Sequence, residues 1–189
     1  MLSHLPGQKQ KALLDVLPAA RQLSLAGYAL LEAALSHTFR VPPPLSALHY
    51  DAAGKPSFPN TGLHISLSHA GGRAVCALSD QPVGLDLEPF APMPAWRGLA
   101  REMRLDAQSE KQFLPLWALW ESWLKYFGRF QLPGDGFRAV PVAGGFALFD
   151  GLTPLPAFGL MPGWIAGFHL AICVPSRPVL PPTFYDWRF

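Results

Sequence analysis

Cysteine, charge and long apolar runs are all scarce in this sequence. Cys76 and Cys173 are the only cysteines in 189 residues, each inside a strand-like apolar stretch. No disulfide framework is therefore indicated, and both are expected as buried, reduced thiols in a cytoplasmic setting. No run reaches the ~20 apolar residues that span a bilayer; the best candidate, residues 158–170, is cut by Pro162 and three glycines. Residues 1–9 lack the uninterrupted apolar core of a signal peptide, so neither membrane association nor export is expected. Charged residues make up 15% of the chain and the formal net charge is only +2. Because no stripe of Lys and Arg interleaves with the aromatics, a nucleic-acid partner is not expected. A small acidic ligand or an acidic protein partner fits this mild basicity.

What the chain does have is 50% hydrophobic residues, 21 prolines and 17 glycines. That is ample for one core or for two intimate halves joined by many turns. Leu23, Gly27, Leu30, Leu31, Ala34 and Leu35 recur at helical spacing, which predicts a helix over 18–36 with Pro18 near its start. A proline-rich connection at 41–45 leads to a strand and turn over 48–58 with Gly54, Lys55 and Pro56 at the bend. Alternation at Leu63, Ile65 and Leu67 predicts a strand ending at Ser68 and His69. Gly71 and Gly72 then turn the chain into a strand over 73–78. Residues 89–94 read as a loop, and 97–111 as weakly specified helix. Phe113, Leu116, Trp117, Trp120, Trp123, Leu124 and Phe127 form one apolar stripe, predicting a helix over 113–127. Strands follow at 137–142, 145–149 and 164–174, and the proline-rich tail from 175 reads as an irregular strap.

The segment Val83-Gly84-Leu85-Asp86-Leu87-Glu88 carries the most chemistry. Alternation sets two carboxylates on one face of a strand, roughly 7 Å apart, and three aliphatics on the other. Two carboxylates at that spacing can share a small hard cation, or they can simply form the wetted face of an edge strand. Neither has a basic neighbour in sequence, so a metal, a distant cation or solvent must compensate them. Glu121 and Lys125, at i and i+4 on the aromatic helix, read locally as a surface pair contributing ~0.3 to 0.5 kcal/mol. His69 and His169 each admit a purely structural role.

Gly54-Lys55-Pro56, Leu67-Ser68-His69, Val83-Gly84-Leu85-Asp86-Leu87-Glu88 and the stretch from Trp117 to Lys125, in that order, resemble the 4'-phosphopantetheinyl transferase superfamily. The likeness is to its short bacterial holo-carrier-protein synthase type. It implies an α+β fold of two pseudo-symmetric halves, 1–82 and 83–189, meeting near Pro82 with the active site between them. It also implies transfer of the 4'-phosphopantetheine arm of coenzyme A to a serine of an acyl or peptidyl carrier protein, releasing 3',5'-ADP. Such chemistry serves the synthesis of fatty acids, polyketides or nonribosomal peptides.

Matched motif by motif, Asp86, Glu88 and Glu121 would be ligands of Mg²⁺, with Mn²⁺ as a substitute. Glu121, or a water on the metal, would take the serine proton and Lys125 would stabilise the leaving group. Ser68 and His69 would contact coenzyme phosphates, and Gly54, Lys55 and Pro56 would line the adenine. Arg21, with Lys9 and Lys11, fits the 3'-phosphate by region only. A monomer without membrane or nucleic-acid contacts is expected.

Three departures from the family pattern stand out. Trp120 stands where the family has a lysine, Ser66 where it has an asparagine, and Tyr28 and Glu32 where an arginine is common. The rival implication is a member of the same superfamily that binds coenzyme A or a carrier but has impaired catalysis.

Overall fold

A computed structural model describes residues 1–128, 134–163 and 165–176. Nine strands and four helices follow one another as α1 (Gly7–Leu14), α2 (Pro18–Thr38), β1 (His49–Tyr50), β2 (Pro56–Ser57), β3 (His64–Ala70), β4 (Arg73–Ser79), β5 (Gly84–Pro89), α3 (Trp96–Glu102), α4 (Glu110–Phe127), β6 (Phe137–Val142), β7 (Gly145–Asp150), β8 (Thr153–Leu160) and β9 (Phe168–Val174) among the described residues. All pairing between these strands is antiparallel, in a sheet ordered β1-β2-β3-β4 and a second ordered β5-β9-β8-β7-β6. The fold is thus α+β, each sheet carrying one long helix.

Helix α2 begins with Pro18 in its first turn, where a missing N–H costs nothing. It buries Tyr28, Leu31 and Leu35 against Leu13, Leu45, Phe58 and Ile65. Helix α4 starts at Ser109, whose hydroxyl accepts from the Gln112 amide, and ends at Gly128 in the left-handed region with φ of 71°. Its buried surface is wider than the expected stripe and includes Leu114, Ala118, Leu119 and Ser122. The reason is that α4 lies between neighbours, against β5 and β9 on one side and α3, β6 and β8 on others. Trp120, fully buried, stacks at 5.2 Å from the Trp117 ring within this core.

Two elements escape the sequence pattern. Helix α1 is short and mostly exposed, so it has no apolar period to read. Strand β8 contains Pro154 and Pro156, which cannot donate to a ladder. It is tolerated because its pairing with β7 skips from Phe158 to Pro154 at a bulge, while its pairing with β9 covers only Phe158 to Leu160. Trp164, the expected start of the last strand, and the tail beyond 176 lie outside the described residues.

The two sheets meet along β3 and β5, and serine side chains make the seam. Strand β5 is the edge of its sheet, so the amides of Leu85 and Leu87 have no ladder partner on that side. They donate to Ser66 Oγ (2.9 Å) and Ser68 Oγ (3.3 Å), two residues apart on β3. Seen from this seam, the wetted-edge reading of β5 fails. Asp86 is only 4% exposed, because α4 covers its face.

Gly84 permits that cover. A Cβ there would stand 1.8 Å from the Ser122 carbonyl oxygen and 2.4 Å from the Tyr126 nitrogen, both backbone atoms of α4. Gly84→Ala is expected to lose about 3 kcal/mol or more in chemical denaturation, since backbone cannot move aside as a side chain can. Gly98→Ala, on the open face of α3 with nothing within 4 Å, serves as the control and is expected to gain up to about 1 kcal/mol.

Candidate active site

The close approach at Gly84 lays the last turns of α4 over Asp86. Lys125 Nζ donates to Asp86 Oδ1 at 2.6 Å, and the Ser68 hydroxyl donates to the same oxygen at 2.9 Å. Lys125 also donates to Ser68 Oγ at 3.1 Å. The cation that β5 lacks in sequence is therefore supplied from 39 residues away, and Lys125 pairs with Asp86 in place of the local pair with Glu121. Asp86 Oδ2 is buried and has no hydrogen-bond partner.

Glu88 and Glu121 complete an acidic neighbourhood. Burial first, then the charge of Asp86, pushes the Glu88 carboxyl up to about 7; the Trp117 indole N–H, donating to Glu88 Oε1 at 3.1 Å, opposes that rise. The Glu121 carboxyl is raised by burial and by Asp86, with Lys125 pulling the other way. These carboxylates sense one another, yet no group of three His, Cys, Asp or Glu side chains among the described residues is arranged to hold a metal ion. The donor chemistry suits a hard divalent ion all the same: carboxylate oxygens, one of them buried and unpaired. Mg²⁺ ordinarily takes one or two carboxylates and completes its shell with water and substrate phosphate.

Beside this cluster lies a cavity of about 350 Å³, lined by Lys9, Lys55, His69 and Lys125 and by no carboxylate among the described residues. Gly54, Pro56, Ser24 and Tyr28 share its wall. Such a lining favours an anion. His69 is exposed, with Nε2 3.1 Å from Ser24 Oγ. Lys9 sits 5.8 Å from the Tyr28 ring centre and 5.4 Å from that of Tyr50, whose hydroxyl donates to that of Tyr28 at 3.0 Å. Burial lowers the Lys9 pKa, and with no carboxylate beside it the ammonium stands to gain from an anionic partner.

The fold thus brings Gly54, Lys55, Pro56, His69 and Lys125 to one cavity, with Asp86 reached through Lys125. Three of the expected contact residues are also engaged by the protein itself. The Lys55 ammonium is engaged by the carbonyls of Lys125 (2.6 Å) and Tyr126 (2.9 Å), clasping the C-terminal end of α4. Ser68 is buried with its hydroxyl donating once and accepting twice, which exhausts its capacity and makes it a seam residue. Arg21 does not line the cavity, because its guanidinium donates to the carbonyls of Leu13, Leu14 and Val16 at the end of α1. Ser24 and Tyr50 were not legible as site residues, since nothing local marks a serine or tyrosine whose neighbours come from other elements.

Fold and site together define a two-sheet α+β protein with a cleft lined by cationic side chains next to a largely buried acidic cluster. No protein-family profile matches the sequence. Three proteins are similar to it. The 4'-phosphopantetheinyl transferase HetI of Nostoc sp. is 30% identical over 127 residues, 59% of this chain and 54% of that protein. A 4'-phosphopantetheinyl transferase of Bacillus subtilis is 28% identical over 126 residues, 60% and 56% of the two chains. The 4'-phosphopantetheinyl transferase Sfp of Bacillus subtilis is 32% identical over 95 residues, 44% and 42%. The chain is thus similar to proteins of the 4'-phosphopantetheinyl transferase superfamily, and it spans about half the length of the relatives it matches.

Lys125→Met strands Asp86 as an unpaired buried charge and is expected to destabilise by about 3 kcal/mol, most of it recovered in Lys125→Met with Asp86→Asn. Urea denaturation of the two variants measures this. For Glu88, a folded pKa near 7 against an ordinary 4.5 means that the fold prefers the protonated form. Stability is therefore lost as pH rises from about 4.5 through 7. Glu88→Gln is expected to match its parent at pH 4 and to exceed it in Tm at pH 8, with the gap opening between.

Proposed function

We propose that this chain transfers the 4'-phosphopantetheine arm of coenzyme A to a serine of an acyl or peptidyl carrier protein, releasing 3',5'-ADP. The observation that carries the reading is the juxtaposition at Lys125. One ammonium borders both a cavity lined by Lys9, Lys55 and His69, with no carboxylate among the described residues, and the buried carboxylate of Asp86. A ligand with several phosphates suits the first, and a hard divalent cation suits the second.

In the proposed reaction the serine oxygen bonds to phosphorus as the bond from that phosphorus to the 3',5'-ADP oxygen breaks. Glu121 is assigned the serine proton. Its raised pKa brings a carboxylate closer to the strength a base needs near neutrality. Lys125, already desolvated on one side, is assigned the charge that grows on the leaving oxygen, and His69 and Lys9 hold the phosphates. Asp86, Glu88 and Glu121 would hold Mg²⁺ or Mn²⁺, which when bound neutralises pyrophosphate charge. Cytoplasmic location, a monomeric state and the half-and-half division at Pro82 belong to the same reading. No helix among the described residues is long and apolar enough to cross a membrane.

A second reading is favoured by one observation: Lys125 is committed to Asp86 and Ser68, and a core tryptophan occupies position 120. In that reading the chain binds coenzyme A or a carrier without turnover. Incubation with coenzyme A, Mg²⁺ and an apo carrier separates the two. A phosphopantetheine mass gain on the carrier supports transfer, whereas thermal stabilisation by coenzyme A without mass gain supports binding alone. Under the transfer reading Glu121→Gln is expected to slow carrier modification at least about a hundredfold, the range of a lost general base, with little change in Tm. Equal rates for variant and parent would remove Glu121 from the mechanism.

A further inference from the structure

A second cavity, of about 690 Å³, opens on the far side of α3 and shares no lining residue with the first. Arg97, Arg101, Arg104 and Arg138 line it, against Asp106 and Asp135. The lining therefore carries an excess of two positive charges. The transfer chemistry proposed above uses none of these arginines.

The arrangement is costly unless something fills it. Arg97 and Arg101 stand at i and i+4 on α3, with Arg104 one turn further, and like charges at that spacing destabilise a helix. Neither Arg97 nor Arg101 nor Arg138 has a carboxylate within salt-bridge distance among the described residues. Three of the four guanidinium groups, those of Arg97, Arg104 and Arg138, also have a contact that holds them. Arg97 lies 4.8 Å over the ring of the buried Trp96, which fixes its plane. Arg138 Nε donates to the Gly151 carbonyl at 2.9 Å, so its two terminal nitrogens are left to face another acceptor. Arg104 donates to the Gly134 carbonyl at 2.5 Å. Positioned forks around one concavity match the paired oxygens of phosphoryl groups, which a flexible ammonium does not.

The geometry points to a second anion site in this cavity, taking a small ligand with two or more phosphoryl groups and held chiefly by Arg97, Arg101 and Arg138. The site stands whether or not the first cavity serves phosphopantetheine transfer. Isothermal titration of the full chain with inorganic pyrophosphate tests it, using Arg97→Gln/Arg101→Gln for this cavity and Lys9→Ala for the other. The expected result, read in the Lys9→Ala background so that the first cavity does not contribute, is binding that weakens with added salt and falls at least about tenfold when Arg97→Gln/Arg101→Gln is added. The double variant is expected to keep or raise the parent Tm because it relieves repulsion, so lost binding is not mistaken for unfolding.

Three outcomes overturn the proposal: no pyrophosphate binding by Lys9→Ala up to about 10 mM, undiminished binding when the arginine pair is replaced in that background, or equal or tighter arginine-dependent binding of citrate or polyglutamate. The last would assign the cavity to carboxylates.

Discussion

The contact on which the rest depends is that between the backbone of α4 and the backbone of β5 at Gly84. With no side chain between them, the helix settles low enough for Lys125 to reach Asp86 at 2.6 Å. A residue with a Cβ would lift the helix and separate the two charges. Lys125 would then lose a partner held in low dielectric, and Asp86 would remain charged, buried and alone. The same descent pairs Trp117 with Glu88 and brings Glu121 within electrostatic range of Asp86.

A second constraint follows from joining two sheets without a common ladder. Strand β5 offers amides that β3 cannot meet with backbone carbonyls, and Ser66 and Ser68 meet them with hydroxyls. Ser68 then has one proton left, which it gives to Asp86. One short side chain therefore closes the seam and orients the carboxylate. Lys55 does comparable work from the other direction, where its ammonium lies on the last carbonyls of α4 and ties the β1–β2 hairpin to the helix end that carries Lys125.

These ties explain why the motif residues divide as they do. Gly54, Lys55, Pro56, His69 and Lys125 converge on a cavity lined by no carboxylate among the described residues. Ser68 and Asp86 are not among its lining residues and connect to it through Lys125. Trp120, although it departs from the family pattern, faces the core among Trp117, Phe113 and Trp123 and not the cavity. A lysine there would have to be carried into an apolar interior, so in this chain the tryptophan is the residue that the local packing requires.

The order of the elements, the alternation of β5, the helical periods of α2 and α4 and the resemblance carried by four motifs were all legible in the residues, because each depends on neighbours within a few positions. Strand β8 was not, since its prolines look like breakers until a bulge and a short partner leave their missing N–H groups unneeded. Nor could the sequence decide what compensates Asp86. Spacing left a metal, solvent and a distant cation equally open, and only the packing of α4 on β5 selected Lys125. Nor could the sequence show that Arg21, Ser68 and Lys55, which the resemblance pointed toward a ligand, also have backbone carbonyls or the seam between the sheets as partners. Burial withdraws water from a polar group, and whichever partner the fold brings within hydrogen-bond reach then claims it.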